Sequence, residues 1–328
     1  MPRPRPFTTA VGVLLLVIGA AAALPLWVMW LAPRTQLVHT YAVYAASFIP
    51  YVALPTLVAL LGLVLLARRL WRWVATGVLL FALICFGLPL LGTFPDDPGP
   101  AGDLQFLSIN AQFGQVEVTD IEALVEPGTD IVAITEYTPE LERRIADSDF
   151  GREFPHRVGE ARPGADGTAV YAREPISLID QHNGWAVNLL VQPTAQDGID
   201  YTVAVVHPVA PTVGPDRWDA DAHGIAAWLR PHVQPRFVAI GDFNAAREHV
   251  TMGYFRDIGL TDPQFSLTLG RSMLAKWQPT WPVGAKVPPF VRIDHVLVPQ
   301  HSTFASNRYR DLPGSDHRAV LGGIFPGR

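Results

Sequence analysis

The first 92 residues of this chain contain no aspartate, glutamate or lysine, and they hold three long apolar runs. A helix that crosses a bilayer needs about 20 mostly apolar residues. Thr9 to Ala32, Val43 to Ala67 and Trp71 to Leu91 all meet that length. A signal peptide could account for the first run alone, and buried core helices for all three. Two further runs follow the first, however, and acidic residues are missing throughout. The pattern predicts three transmembrane helices forming an anchor over residues 1–92. Arginines set its orientation. Arg3 and Arg5 precede the first run, Arg68, Arg69 and Arg72 fill the second loop, and Arg34 is alone in the first loop. Basic flanks stay in the cytoplasm. The N-terminus is therefore expected inside a multi-pass cell-membrane protein, and the chain beyond the third run outside.

Residues 93–102 are rich in Pro, Gly and Asp and read as an extended, solvated linker. The expected outer domain, residues 103–328, has a different character. All 30 acidic residues lie beyond Gly92, against 19 basic ones, a formal charge of −11. Such a surface is a poor match for the phosphate backbone of nucleic acid, which attracts basic faces. The single cysteine, Cys85, rules out an intramolecular disulfide. No internal repeat is visible.

Within this domain, short apolar segments read as buried strands: Leu104 to Asn110, Asp130 to Thr135, Thr168 to Ala172, Ile176 to Ile179, Trp185 to Val191, Tyr201 to Val206 and Phe237 to Ile240. Two more are expected at Phe290 to Val298 and Arg318 to Phe325. Helices are expected from Thr119 through TDIEALVE, from the Thr138–Pro139 cap to about Asp147, from Asp216 to Leu229, and over His249 to Ile258. Several strand pairs lack an intervening helix. That suits a layered α/β domain with mixed sheets better than a doubly wound parallel sheet.

The polar residues follow a rule. Asn110, Glu136, His207, Asp242 with Asn244, and Asp316 with His317 all stand at an end of an expected strand, and Asp294 lies inside one. Polar groups are costly in a dry core but useful at strand edges, where they meet solvent and substrate. In RFVAIGDFNA, Gly241 is expected to break the strand. Alternation along an extended segment would then aim Asp242 and Asn244 the same way. Gly, Asp and Asn are also turn formers, so a plain turn fits the same residues. A turn before the last strand fits Asp316 and His317 equally well. Trp281 suits the core or a substrate platform, and His295 a packed, hydrogen-bonded position. Many carboxylates with one cysteine suit a hard, oxygen-bound ion such as Mg²⁺.

Six segments occur in order: SINAQ (108–112), ITE (134–136), VVHP (205–208), GDFNA (241–245), RIDHV (292–296) and GSDH (314–317). In these the domain resembles the endonuclease/exonuclease/phosphatase superfamily, with its deoxyribonuclease-like and sphingomyelinase-like members. The resemblance implies a four-layer αββα sandwich with the site at one edge. It implies Glu136 as the principal metal ligand, with Asn110 and Asp316 close to the ion. Asp242 would orient or deprotonate water, and Asn244 would hydrogen-bond the phosphate. His317, held by Asp294, and His207 would donate to the phosphate.

The expected activity is a Mg²⁺-dependent hydrolysis of phosphoric esters, with Mn²⁺ or Ca²⁺ as substitutes. A phosphorylated lipid or envelope component is favoured over nucleic acid, because anchoring raises the effective concentration of membrane substrates. An extracellular nuclease and a non-catalytic binding domain on the same fold are the alternatives. Protein partners are left open.

Overall fold

A computed structural model of the chain describes residues 6–67, 69–87, 102–194, 201–262, 278–300 and 303–325. These divide into two compact units, one up to Gly87 and one from Gly102 onward.

The first unit contains α1 (Pro6–Leu31), α2 (Thr40–Ala46), α3 (Ala53–Leu66) and α4 (Arg69–Gly87). Phe7–Leu31 and Ile49–Leu66 are long and apolar enough to cross a membrane. α1 and α3 pack through glycine. A Cβ at Gly19 would run into the backbone of Ala59 and Pro55, and one at Gly62 into that of Leu16 and Gly12. Close approach of this kind gives van der Waals contact where lipid tails would be equally apolar neighbours. Trp27 Nε1 donates to Thr56 Oγ1 across the pair at 3.0 Å. The second expected run is not one helix. It breaks after α2 at Ser47 and Phe48, and Ile49–Tyr51 form a 3-10 turn before α3. Pro50 has no amide proton with which to continue the α-helical ladder. The third run falls on α4, whose apolar part, Trp71–Leu83, is shorter than the other two. Residues 88–91 of that run, and 93–101 of the expected linker, lie outside the described residues.

The second unit runs β1 (Leu104–Asn110), α5 (Val118–Glu122), β2 (Ile131–Thr135), α6 (Pro139–Ala146), α7 (Asp149–Glu153), β3 (His156–Glu160), β4 (Thr168–Ala172), β5 (Ile176–Asn183), β6 (Val187–Pro193) and β7 (Thr202–Val206). It continues with α8 (Pro215–Leu229), β8 (Phe237–Asp242), α9 (Met252–Asp257), β9 (Leu260–Thr261), β10 (Asp294–Pro299), β11 (Thr303–Asp311) and β12 (Arg318–Phe325). The strands form two six-stranded sheets, ordered β11-β12-β1-β2-β4-β3 and β5-β6-β7-β8-β10-β9.

Strand alternation explains the layers. Phe106, Ile131, Ala133 and Val170 of the first sheet meet Val203, Val205, Val238 and Ile240 of the second, which is the central core. Leu107, Ile109, Val132 and Ile134 point the other way, onto Ile121, Leu141, Ile145 and Phe150 of α5, α6 and α7. These strands are apolar on both faces, hence their continuous apolar runs. On the far side, α8 buries Trp218, Ala222, Ile225, Ala226 and Leu229. Its Trp228 Nε1 donates to Asp180 Oδ2 of β5 at 2.8 Å. The result is the expected αββα sandwich. In each sheet the only parallel pair is the middle one, β1 with β2 and β7 with β8. The architecture thus repeats where the sequence does not.

Candidate active site

Parallel pairing sets Asn110 opposite Thr135 at the end of β1 and β2, and Val206 opposite Gly241 at the end of β7 and β8. The residues that end or follow these four strands converge at one edge. Gly241 does not break β8, as its residue type suggested. The strand passes through it with φ +134°, and a Cβ there would strike Val206 O. Only glycine lets β8 carry Asp242 that close to β7.

Asp242 is the hub. Its Oδ2 accepts from Asn110 Nδ2 at 3.1 Å and lies 3.6 Å from His207 Nε2 and 3.7 Å from His317 Nε2. Its Oδ1 accepts from the Asn244 amide at 2.8 Å, closing a turn in which Asn244 has φ +48°. Asp242 and Asn244 therefore do not project together from an extended segment. The Asn244 carboxamide turns toward the loop after β7 and donates to Pro208 O at 3.0 Å.

Glu136 follows β2 with φ +55°. Its Oε1 accepts from Asn110 Nδ2 at 3.0 Å, and its Oε2 from the Phe113 amide at 2.7 Å. Asn110 Oδ1 accepts from the Gln112 amide at 2.9 Å, so the amide group of Asn110 faces both carboxylates.

Asp294 is not inside a strand. It is the first residue of β10, directly across from Asp242. Thr280 Oγ1 accepts from the amides of Ile293 and Asp294 at 3.1 and 3.2 Å, which fixes that start. Asp294 Oδ2 is 2.9 Å from His317 Nδ1. Ser315 Oγ donates to Asn110 O at 2.7 Å and accepts from the His317 amide at 3.0 Å, tying the last strand to the first. Asp316 Oδ2 accepts from Trp281 Nε1 at 3.0 Å, and Oδ1 lies 3.9 Å from His317 Nε2. Trp281 thus supports an acid, where the sequence left core and platform open. His295 is packed and hydrogen-bonded as expected, with Nε2 2.8 Å from Ala245 O.

Burial pushes the Asp242 carboxyl up to about 6, with His317 pulling it down and Asp294 pushing it further up. Burial also raises Glu136, against its bonds from Asn110 and Phe113. Burial lowers His207, which is neutral at pH 7. At His317 burial works the same way, but the Asp294 and Asp242 carboxylates outweigh it and carry the imidazole up to about 10.

Four carboxylates thus face one imidazolium, an excess of negative charge that a cation would relieve. Glu136 and Asp316 are the less buried of the four and offer only oxygen, which suits a hard divalent ion. Ligand atoms of Asp242, Asp294 and His317 also lie within 4.8 Å of one another. Those side chains, however, are buried and already bonded to one another or to Asn110 and Asn244. Among polar supports, sequence reasoning missed Thr280, Ser315 and Asn188, whose Oδ1 accepts from the His207 amide at 2.8 Å. Ser315 lay within the GSDH segment, and Asn188 is a polar residue interrupting an apolar run.

A model of the Endonuclease/Exonuclease/phosphatase family matches residues 107–317. Among solved structures, the catalytic domain of human Nocturnin, with a bound sulfate anion, is similar at 16% identity. The match covers 71% of this chain and 96% of that one, with a TM-score of 0.50. A mannosyl-6-phosphatase from Bacteroides thetaiotaomicron matches at 13% identity, 67% and 99% coverage and a TM-score of 0.48. Sphingomyelinase C from Streptomyces griseocarneus matches at 16%, 68% and 99% with a TM-score of 0.44. No curated protein matches the chain.

Proposed function

The chain belongs to the endonuclease/exonuclease/phosphatase family, and from that premise we propose that its second unit is a divalent-metal-dependent phosphodiesterase or phosphatase. We read its first unit as a membrane anchor; with α4 as a third crossing beside the two membrane-length helices, an odd number of crossings would hold the second unit outside the cytoplasm. The observation that carries the catalytic reading is Asp242 Oδ2, within 3.1 to 3.7 Å of Asn110, His207 and His317. An ionised carboxylate there can orient and deprotonate a water aimed at phosphorus. His317, cationic and steadied by Asp294, donates to a non-bridging oxygen as charge develops on it. His207, neutral, offers a second donor. Asn244 reaches the phosphoryl group only by releasing Pro208 O. Glu136 and Asp316 would hold the ion, with Asn110 bracing Glu136 against Asp242. A bound Mg²⁺, with Mn²⁺ or Ca²⁺ as substitutes, would polarise the phosphoryl oxygen and neutralise the leaving oxygen.

A surplus of acidic side chains beyond Gly92 and two membrane-length helices favour a phosphorylated lipid or envelope component over nucleic acid. The test is a panel of lipid phosphodiesters, phosphomonoesters and DNA given to the full chain in detergent, with Mg²⁺ or with chelator. Hydrolysis of lipid esters that vanishes in chelator and in Glu136→Gln is expected; undiminished turnover in chelator would rule the metal reading out. The pH profile follows from the two central groups. Activity needs Asp242 ionised, so it rises with pH through about 6. It needs His317 protonated, so it falls through about 10. A cation nearby favours the carboxylate, so raising Mg²⁺ should move the acid limb to lower pH.

A further inference from the structure

The described residues of the second unit expose six large apolar side chains: Phe113, Leu178, Ile179, Trp185, Val213 and Val287. Leu178 and Ile179 lie on the edge strand β5. The other four lie on four different loops at the edge that carries the site. Phe113 is 56% exposed, and its amide holds Glu136. Trp185 is 40% exposed, and its ring stands edge-on to His207, centroids 5.6 Å apart. Val213, 43% exposed, ends the 3-10 turn in the loop leading away from His207. Val287, 51% exposed, lies in the loop whose Val283 amide donates to Asp316 O at 2.7 Å. The polar row Glu136–Asn110–Asp242–His207 thus begins beneath Phe113 and ends beneath Trp185.

Two of these side chains are held in place. The Asp221 carboxylate of α8 accepts from the Trp185 amide at 3.1 Å and the Val209 amide at 2.8 Å, so one acid fixes the loops on both sides of His207. A Cβ at Gly184 would collide with the same carboxylate. On the other flank, Arg144 of α6 bonds Gly114 O and, at 2.8 Å, Val116 O, which secures the loop bearing Phe113. Apolar side chains kept in water on braced loops mark a contact surface.

We propose that Phe113, Trp185, Val213 and Val287 form a rim that dips into a lipid surface and brings the site to ester groups at the headgroup level. The inference rests on the anchor reading for its occupant and on the hydrolase reading only for what happens after contact. Lipid is the occupant because the same chain carries two helices of membrane length, which as an anchor would keep a bilayer within reach. The chain from Gly87 to Leu104 can span at most roughly 60 Å. A domain of this length is on the order of 45 Å across, so the rim can reach a bilayer although Leu104 lies at the opposite pole. Trp and Phe favour the interface between headgroups and acyl chains, and Lys286 beside Val287 places a cation at headgroup depth.

The test uses the full chain with Cys85→Ser, reconstituted in phosphatidylcholine vesicles. Single cysteines introduced as Phe113→Cys, Trp185→Cys or Val287→Cys carry an environment-sensitive fluorophore, with the exposed Ser177→Cys on β5 as control. Emission from the three rim labels should shift to the blue and be quenched at least twofold more than the control by spin-labelled lipid. Rim labels no more quenched than the control would overturn the proposal. So would a blue shift that follows protein concentration and ignores the lipid quencher, since a second copy would then cover the rim. Hydrolysis of bis(p-nitrophenyl) phosphate by the unlabelled chain separates the two readings. Quenching without hydrolysis sinks only the hydrolase, and hydrolysis without quenching sinks only the rim.

Discussion

Asp242→Asn should lower kcat/KM on a phosphodiester by about 10²–10⁴-fold, the usual worth of a positioned general base. The substitution keeps an oxygen for the Asn244 amide but removes the negative charge that lies 3.6 Å from His207 and 3.7 Å from His317. It also sets a carboxamide against the amide group of Asn110, which now donates to Asp242 at 3.1 Å. Folding should change little, because the site holds more carboxylates than cations and loses one of the surplus. Kinetics paired with thermal melts decide the matter. A loss of less than threefold, with the melt unchanged, would remove Asp242 from the chemistry.

Asp262→Asn should produce the largest loss of stability, about 3–5 kcal/mol, the cost of leaving a buried charge without its partner. Asp262 Oδ2 takes Arg292 Nη2 at 2.6 Å and lies 3.4 Å from His295 Nδ1, and all three side chains are buried. Arg292 also donates to Tyr309 OH at 3.1 Å. A neutral amide at 262 cannot compensate the guanidinium. For a domain of this size the melting temperature should fall by on the order of 10 °C. Burial alone would raise the Asp262 carboxyl, but the Arg292 charge overrides it and holds the group well below the usual carboxylate range. The folded value lies below the unfolded one. The contribution is therefore complete above the unfolded value of about 3.9 and lost as pH falls toward the folded one. The gap between wild type and variant should be flat from pH 5 to 8 and close only in strong acid. A melt within 2 °C of wild type at pH 7 would show that the pair contributes little.

The strands that carry the site could be read in the sequence because they are buried on both faces, so each is an apolar run ending at a polar residue. Asn110, Glu136, His207 and Asp242 stand out for that reason. Strands β3 and β11 were not legible. HRVGE and TFASNRYRD are edge strands, half open to solvent, and their polar residues hide the period. Asp294 was misplaced because Phe290, Val291 and Ile293 before it, around Arg292, read as the start of the same strand as VLV after it, although only the segment from Asp294 onward pairs with β8. Asn244 was misaimed because alternation holds only where the backbone stays extended, and a hydrogen bond from its own amide to Asp242 curls it away. The polar bonds that brace the site, such as Thr280 to the start of β10, join residues far apart in the chain and leave no local mark.

β12 pairs with β1 through Leu104↔Ile324, and Ser315 reaches back to Asn110. During synthesis, the opening strand of the sandwich gains β2 early but waits for some of the last residues described before its second neighbour arrives. Until then His317 is absent from the edge where Asp242 stands, and a nascent chain holds an unfinished catalyst. Hydrolytic power would be switched on only by the closing step of folding.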